Sequence, residues 1–167
     1  ARGRVISREE MSDGSKYPVY SSQTENDGCM GCINTFDFDQ DALTWTTDGA
    51  KAGTVFRRNG KFNATNVCGV LTPKGNSHLN YFMHSVQIGA THSKRLDTNG
   101  YKIMSNEMRD IAVVNPPYKL QNEIAKYLDG VTVGIDNAIQ KIQKSVALLQ
   151  EFKSSLISNV VTGKVKI

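Results

Sequence analysis

The strongest constraint on the fold of this chain is a seven-residue apolar repeat near its C-terminus. Apolar side chains recur at Leu128, Ile135, Ile142, Leu149 and Leu156, and a second line runs through Ile139, Val146 and Val160, with Phe152 beside it. This spacing places one apolar seam along a helix that pairs with another helix in a left-handed supercoil. From Leu128 to Val160 the helix would be about 50 Å long, at about 1.5 Å per residue. We therefore predict that these residues form a helix-pairing interface.

The rest of the 167 residues is long enough for one globular domain. No apolar run approaches the roughly 20 residues of a membrane helix and no leader is visible, so we expect a cytoplasmic chain without membrane contact. Three cysteines cannot complete a disulfide framework, which also favours a reducing compartment. Cys29 and Cys32 have the spacing of half a zinc or redox site. Because a second pair of ligands is lacking, we interpret them as ordinary thiols and expect no metal.

Charge is distributed unevenly along the chain. Residues 1–50 carry a net charge of −5, whereas residues 51–102 hold eight basic side chains and one acidic one, a net charge of +7. A basic block of this size indicates a surface that faces a polyanion. The alternative is a solvated basic face with no partner.

The first hundred residues contain short β-type runs separated by turn residues. Asn59-Gly60 lies between two such runs, residues 54–57 and 62–71. Because a tight turn needs positive φ, this pair predicts a hairpin. The hairpin would carry three basic residues to an exposed tip, namely Arg57, Arg58 and Lys61. Lys51 lies in a small-residue loop beside it.

The pattern then changes to helix. We predict a helix over residues 79–88, a polar basic loop over residues 89–100 that contains His92, Lys94 and Arg95, and an apolar strand over residues 111–114. A helix restarts at Leu120, whose apolar positions recur every fourth residue to Leu128. We expect Gly130 and Gly134 to loosen its junction with the long helix, and Gly163 to end that helix.

Asn115-Pro116-Pro117-Tyr118 matches the catalytic motif of DNA amino-methyltransferases, in which such residues hold a flipped base. The cofactor of those enzymes, AdoMet, requires a doubly wound sheet with a glycine-containing first turn, and neither is visible in this sequence. We therefore interpret the segment as a rigid Pro-Pro connector and predict a chain that is not an enzyme and has no cofactor.

The same region resembles type I restriction-modification specificity (S) subunits. The residues that carry the resemblance are Ile111–Pro117, Gln121, Glu123–Ala125 and Tyr127–Asp129, then Leu156–Ser158 and Val160–Val165 at the end, and more weakly Gly14–Ser22, Thr47–Val55 and Asn59–Phe62. The resemblance implies an α+β chain. A mixed or antiparallel β-rich target recognition domain, residues 1–118, would be followed by a long coiled-coil helix in a spacer and dimerisation region, residues 119–167.

The resemblance also implies partners. Such a subunit reads one half of a bipartite sequence in double-stranded DNA, and its helices dock methyltransferase (modification) subunits, which a restriction subunit can join. Members usually carry two recognition domains, so this chain would be a half-subunit or a fragment that forms a homodimer or pairs with its other half. We predict DNA contacts at Arg57, Arg58, Lys61, Lys94, Arg95, Lys51, Ser22, Gln23 and His92.

Two other functions fit parts of the sequence. The chain could be a dimeric coiled-coil DNA-binding regulator without a restriction system, and binding of a methyltransferase subunit separates that function from the first. A fragment of an N6-adenine DNA methyltransferase is the third possibility, and AdoMet binding by the isolated chain would support it.

Overall fold

The computed structural model describes residues 1–98 and 100–164, and its class is α+β, as predicted. The described strands are β1 Tyr17–Tyr20, β2 Cys29–Ile33, β3 Phe38–Asp39, β4 Ala42–Thr46, β5 Asp48–Gly49, β6 Val55–Arg58, β7 Lys61–Ala64, β8 Cys68–Leu71, β9 Arg95–Asp97 and β10 Gly100–Lys102. The α-helices are α1 Leu79–Ser93, α2 Ser105–Arg109 and α3 Tyr118–Val161.

The strands form three small sheets. Their strand orders are β6-β4-β8, β2-β1-β7-β3 and β5-β10-β9. Neighbouring strands run antiparallel except β1 and β7, which are parallel. The sheets are therefore mixed and mostly antiparallel, as the sequence predicted.

Strand β4 lies at the centre of the globular part and is buried along its whole length. Leu43 and Trp45 pack into one apolar cluster with Val86 and Ala90 of α1. Ala42, on the other side of the strand, packs into a second cluster around Phe62 and Val70. Because successive side chains point to opposite faces of a strand, this β-rich run can serve two cores at once.

Contacts divide the chain into two compact units, Ala1–Ala125 and a second unit that begins at Lys126. The first unit, which we call the globular unit, includes the first turns of α3 through Gln121 and Ala125, both buried. The boundary predicted after residue 118 remains a prediction.

The predicted hairpin at Asn59-Gly60 is wrong. Gly60 does adopt a positive φ of 66°. However, β6 pairs with β4, whereas β7 pairs with β1 and β3. The turn therefore connects two different sheets. It is stabilised by the neighbouring turn, because Gly60 N donates to Asp41 Oδ1 and Gln40 N donates to the Gly60 carbonyl oxygen.

Other local predictions need correction. The run 62–71 forms two strands, and the first residues of the predicted loop 89–100 continue α1 to Ser93. The rest of that loop contains β9 and the first residue of β10, which pairs antiparallel with β9. Residues 111–114 form no strand. They are tied down instead by α1, since the Tyr81 hydroxyl donates to the Val114 carbonyl oxygen at 2.9 Å.

Helix α3 is 44 residues long and continuous through Gly130 and Gly134, so these glycines do not interrupt it. Its end is as predicted: Gly163 has a φ of 72°, and the backbone N–H groups of Gly163 and Lys164 bond back to Val160 and Asn159. In the described part of the chain, no helix is long and apolar enough to cross a membrane.

The apolar seam of α3 is solvent-exposed in the single chain. The exposed fractions of its members include 54% for Ile135, 46% for Ile139, 64% for Ile142, 48% for Val146, 67% for Leu149, 66% for Phe152 and 48% for Leu156, while Leu128 and Val160 are half-buried. The pairing of this seam with another helix remains a prediction.

Candidate nucleic-acid interface

The neighbouring arginines at the end of β6 have opposite environments. Arg58 is only 5% exposed, so its predicted place on an exposed tip is wrong. Its guanidinium lies 3.5 Å from the ring centre of Tyr20 and 4.6 Å from that of Phe56. Its Nε donates to Thr44 Oγ1 at 2.9 Å, and its Nη2 donates to the carbonyl oxygen of Asp27 at 2.5 Å. Burial lowers the pKa of Arg58.

Arg57 and Lys61 do lie on the surface, but acidic residues surround them. Arg57 Nη2 is 3.5 Å from Asp41 Oδ2, and Arg57 also donates to Asn59 and Asn80. Lys61 Nζ is 3.7 Å from Asp39 Oδ2. The fold thus places carboxylates from the acidic first fifty residues beside the basic block. The charge of +7 in the sequence window overstates the charge of the surface.

The β9–β10 hairpin holds a second set of basic residues. Arg95 Nε lies 2.7 Å from Glu107 Oε1, and Lys102 Nζ lies 3.2 Å from Asp48 Oδ1 and 3.3 Å from Asp97 Oδ2. Hydrogen bonds from Lys102 to these aspartates raise its pKa. The pKa of Asp97 is lowered, first by the backbone N–H of Thr98 and then by Lys102. These ion pairs connect the β9–β10 hairpin to β5 and to α2.

The opposite face of the hairpin is apolar and cationic. Leu96 and Tyr101 are cross-strand partners, and they are 76% and 41% exposed. Lys94 Nζ lies 4.4 Å from the ring centre of Tyr101. In the described part of the chain no salt bridge involves Lys94 or Lys51. Sequence reasoning missed Leu96 and Tyr101, because alternation is not detectable in strands of three residues.

A polar depression of about 480 Å³ lies beside this hairpin and is lined by Ser22, Asp48, Gly49, Val67, Asp97, Thr98, Tyr101 and Lys102. The structure thus brings one predicted contact, Ser22, next to the hairpin. Yet Ser22 Oγ already accepts from Thr47 N at 3.0 Å and donates to the Val67 carbonyl oxygen. Gln23 Nε2 likewise donates to the Cys29 carbonyl oxygen at 2.5 Å. Both side chains hold the backbone in place.

The remaining predicted contacts, Lys51 and His92, are exposed. Lys51 follows β5. His92 belongs to the last turn of α1, not to a loop.

Asn115-Pro116-Pro117 forms the entry to α3. Gln121, 2% exposed, donates to Asn115 Oδ1 at 3.0 Å and to the Pro116 carbonyl oxygen at 2.8 Å. Its own oxygen accepts from His78 N at 2.9 Å. The amide that an enzyme would offer to a base thus serves a structural contact, which supports the interpretation as a rigid connector.

The cysteines are free thiols. Burial is the main cause that raises the pKa of Cys32, and burial raises the pKa of Cys68 to about 11. No cluster of three or more His, Cys, Asp or Glu side chains suited to a metal occurs among the described residues.

Comparisons with known proteins agree with the architecture. Residues 1–148 match the family described as type I restriction modification DNA specificity domain. A type I specificity subunit N-terminus from Mycoplasma pneumoniae is 38% identical over 130 residues, which are 77% of this chain and 70% of the relative. The specificity subunit of the type I restriction enzyme MpnII from the same organism is 35% identical over 160 residues, 90% of this chain and 48% of that subunit.

Two solved structures are similar in fold. The S subunit of a type I restriction-modification system from M. genitalium aligns with a TM-score of 0.63 at 15% identity, over 82% of this chain and 37% of its own. A chain from a type I system solved to explain complex assembly and conformational transition aligns with a TM-score of 0.66 at 13% identity, over 95% and 42%. The chain thus spans less than half the length of either.

Proposed function

Because this chain belongs to the family of type I restriction-modification DNA specificity domains, we propose that its globular unit reads one half of a bipartite DNA target and that α3 docks modification subunits. The single observation that carries this proposal is the 44-residue helix whose apolar seam is exposed, in the same chain as a DNA-specificity domain. Exposed apolar surface of this extent is typical of an interface.

We propose that the seam pairs with a second helix, most simply that of another copy. Two copies related by a two-fold axis would present identical recognition domains. The target would then be palindromic, with its two halves separated by the span of the helices. Pairing with the other half of a longer subunit would instead allow two unrelated half-sites.

We place the phosphate contacts first at Lys94 and Arg95 beside the β9–β10 hairpin, with Lys51 and His92 as further contacts. Glu107 competes for the charge of Arg95, but Lys94 has no salt bridge among the described residues. Arg57 and Lys61 form a second patch that we expect to be weaker, because both of its basic residues have an acidic partner, Asp41 and Asp39. Arg58 is not proposed as a DNA contact, since its guanidinium is buried and packs on the rings of Tyr20 and Phe56.

We propose that the chain performs no chemistry itself. Methyl transfer would belong to the modification subunit, which would supply AdoMet, and a restriction subunit could join the same complex. The short strands and three small sheets of the globular unit support this division, because AdoMet sites are built on a doubly wound parallel sheet.

The test is reconstitution. The full chain is co-expressed with the modification subunit of its source organism, and transfer of labelled methyl groups from AdoMet to genomic DNA is measured with and without this chain. We expect co-purification, and methylation at one bipartite sequence only when both are present. Methylation by the modification subunit alone, or AdoMet binding by the isolated chain in calorimetry, would overturn the proposal.

A dimeric regulator without a restriction system predicts a different result. Such a protein would bind palindromic DNA by itself and would not bind a modification subunit. The family match favours the specificity subunit, and the co-purification experiment separates the two.

A further inference from the structure

Arg58 is unusual because, among the described residues, no other charged side chain is buried. Buried charges are normally paired with an opposite charge. No salt bridge in the described part of the chain involves Arg58. Its partners are two aromatic faces, one hydroxyl and the carbonyl oxygen of Asp27. Burying a guanidinium without a carboxylate partner costs free energy of desolvation, so its contact with the Asp27 backbone needs an explanation.

That contact holds a loop of special backbone geometry. The loop runs over residues 21–28, between β1 and β2. Asn26 and Asp27 have φ values of 48° and 52°, in the left-handed region that residues with a side chain rarely adopt, and Gly28 follows with a φ of 78°. Backbone strain of this kind persists only where the surroundings enforce it.

The conformation of the loop is held by contacts within it and by Arg58 from outside it. Ser21 N donates to the Gly28 carbonyl oxygen at 3.0 Å and closes the loop. A Cβ at Gly28 would lie 2.9 Å from the Gln23 carbonyl oxygen and 3.2 Å from Arg58 Nη2. The guanidinium therefore packs against Gly28 and leaves little room for a side chain at this position. Glu25, Asn26 and Asp27 remain exposed at its tip.

We propose that the tip Glu25–Asp27 reads base edges of the DNA target, and that Arg58 is the positioning residue that holds this tip in one conformation. The inference rests on the proposed function, because it names the residues that would supply specificity. Asparagine can bond to both groups on the major-groove edge of adenine, and carboxylates accept from the amino group of cytosine. These side chains attract no phosphate, so they add discrimination without adding general affinity.

The position of the loop supports this role. Ser22 of the same loop lines the depression that the β9–β10 hairpin also lines through Tyr101 and Lys102. The start of this loop and the hairpin thus border one concave surface, and the tip Glu25–Asp27 follows Ser22 by three residues. The hairpin would hold the phosphate backbone while the tip enters a groove, the usual division between positioning and base-reading contacts.

The experiment uses the full chain and duplexes enriched by it from a random library, compared with random duplex of equal length. Asn26→Gly and Asp27→Gly remove the side chains and keep the left-handed backbone, since glycine adopts positive φ freely. Their matched controls are Asn34→Gly and Asp13→Gly, at exposed positions away from the loop. We expect the tip variants to lose about 5- to 150-fold of the preference for enriched over random duplex, the range of one good base contact.

Arg58→Met tests the positioning role, because methionine fills similar space without a charge or a donor. We expect a similar loss of preference, faster hydrogen exchange at Ser21 N–H and an unchanged dependence of binding on salt. Arg58→Lys should restore part of the preference. If Arg58→Met fails to fold, Thr44→Val removes only the acceptor of Nε and takes its place.

Each result decides between specific alternatives. Tip variants that discriminate like their controls would overturn base reading by the tip. Arg58→Met could instead weaken binding of enriched and random duplex equally and lower the slope of log affinity against log salt by about 0.9. That result would identify Arg58 as a phosphate contact. If the wild-type chain and its complex with the modification subunit enrich no sequence, the proposed function itself fails.

Discussion

The globular unit and the second half of α3 contain the same apolar residue types in opposite environments. In the globular unit Val70 and Phe62 are each 1% exposed. On α3 Val146 and Phe152 are 48% and 66% exposed. The difference separates apolar side chains that form the core of the first unit from apolar side chains that lie on the surface of α3. We propose that the second set forms a surface for a partner.

The sharpest test of this difference is a pair of identical substitutions. Phe62→Ala removes a ring that stacks on Phe38 with centroids 5.0 Å apart, and we expect it to lower the free energy of unfolding by about 3–5 kcal/mol. Phe152→Ala, at 66% exposure, should change the stability of a monomer by less than about 0.5 kcal/mol. Urea unfolding followed by the fluorescence of the single tryptophan, Trp45, measures both. Equal losses would mean that the seam belongs to the same folding unit.

The second prediction concerns assembly. Ile142→Asp combined with Leu149→Asp places two carboxylates in the seam, and burying these unpaired charges in a helix pair would cost on the order of several kcal/mol. We expect self-association to be abolished in analytical ultracentrifugation while the urea midpoint of the globular unit stays the same.

The matched control for assembly is Asn137→Asp combined with Lys144→Asp. These residues lie two positions beyond the seam residues Ile135 and Ile142, on the outer side of the repeat. They should leave association nearly intact. A wild-type chain that is monomeric at tens of micromolar would show that the seam pairs with a different chain.

The third prediction compares basic residues of the two units. Lys94→Ala combined with Arg95→Ala should reduce the slope of log affinity against log salt by about 0.9 for each phosphate that the variant no longer neutralises, because a neutralised phosphate releases counterions. Lys141→Ala combined with Lys144→Ala, on α3, should leave the slope unchanged. Filter binding of the reconstituted complex at two salt concentrations gives both slopes. An equal change in both variants would extend the DNA surface onto α3.

The two units also differ in how well their structure could be predicted from sequence. The helix was predictable because its pattern is local: the repeat from Leu128 to Leu156 and the glycine at 163 are visible in consecutive residues. The turn at Asn59-Gly60 was predictable only in its backbone conformation. Strand β6 pairs with β4, whose partner residues lie between Ala42↔Arg58 and Trp45↔Val55, on the far side of the turn that follows β5. Local signals at Asn59-Gly60 therefore could not show that the two flanking strands enter different sheets.

The candidate site was predictable in part for the same reason. Lys94 and Arg95 lie on an exposed hairpin, as basic residues without an apolar pattern suggest. Arg58 could not be distinguished from Arg57 in sequence, because its burial depends on contacts with Tyr20, which is distant in sequence, and with Phe56. The carboxylates that reduce the basic surface come from distant segments. Charge counted along the sequence therefore indicated the type of partner better than the contact residues.

The smallest predicted effect is chemical and compares the two units without altering the fold of either. Because burial raises the pKa of Cys68 to about 11, only about one Cys68 thiol in a thousand is ionised at pH 8, and the thiolate is the reactive form. Iodoacetamide should therefore modify Cys68 slowly in the native chain and rapidly in urea. A cysteine introduced on the seam by Ile142→Cys should react rapidly in the monomer and slowly in the assembly. Peptide mapping at protein concentrations below and above the association range distinguishes the two sites. Protection of Cys68 that does not depend on concentration indicates burial in the core. Protection of the introduced thiol at position 142 that rises with concentration indicates pairing of α3. If the introduced thiol reacts equally fast at every concentration, helix pairing does not cover Ile142.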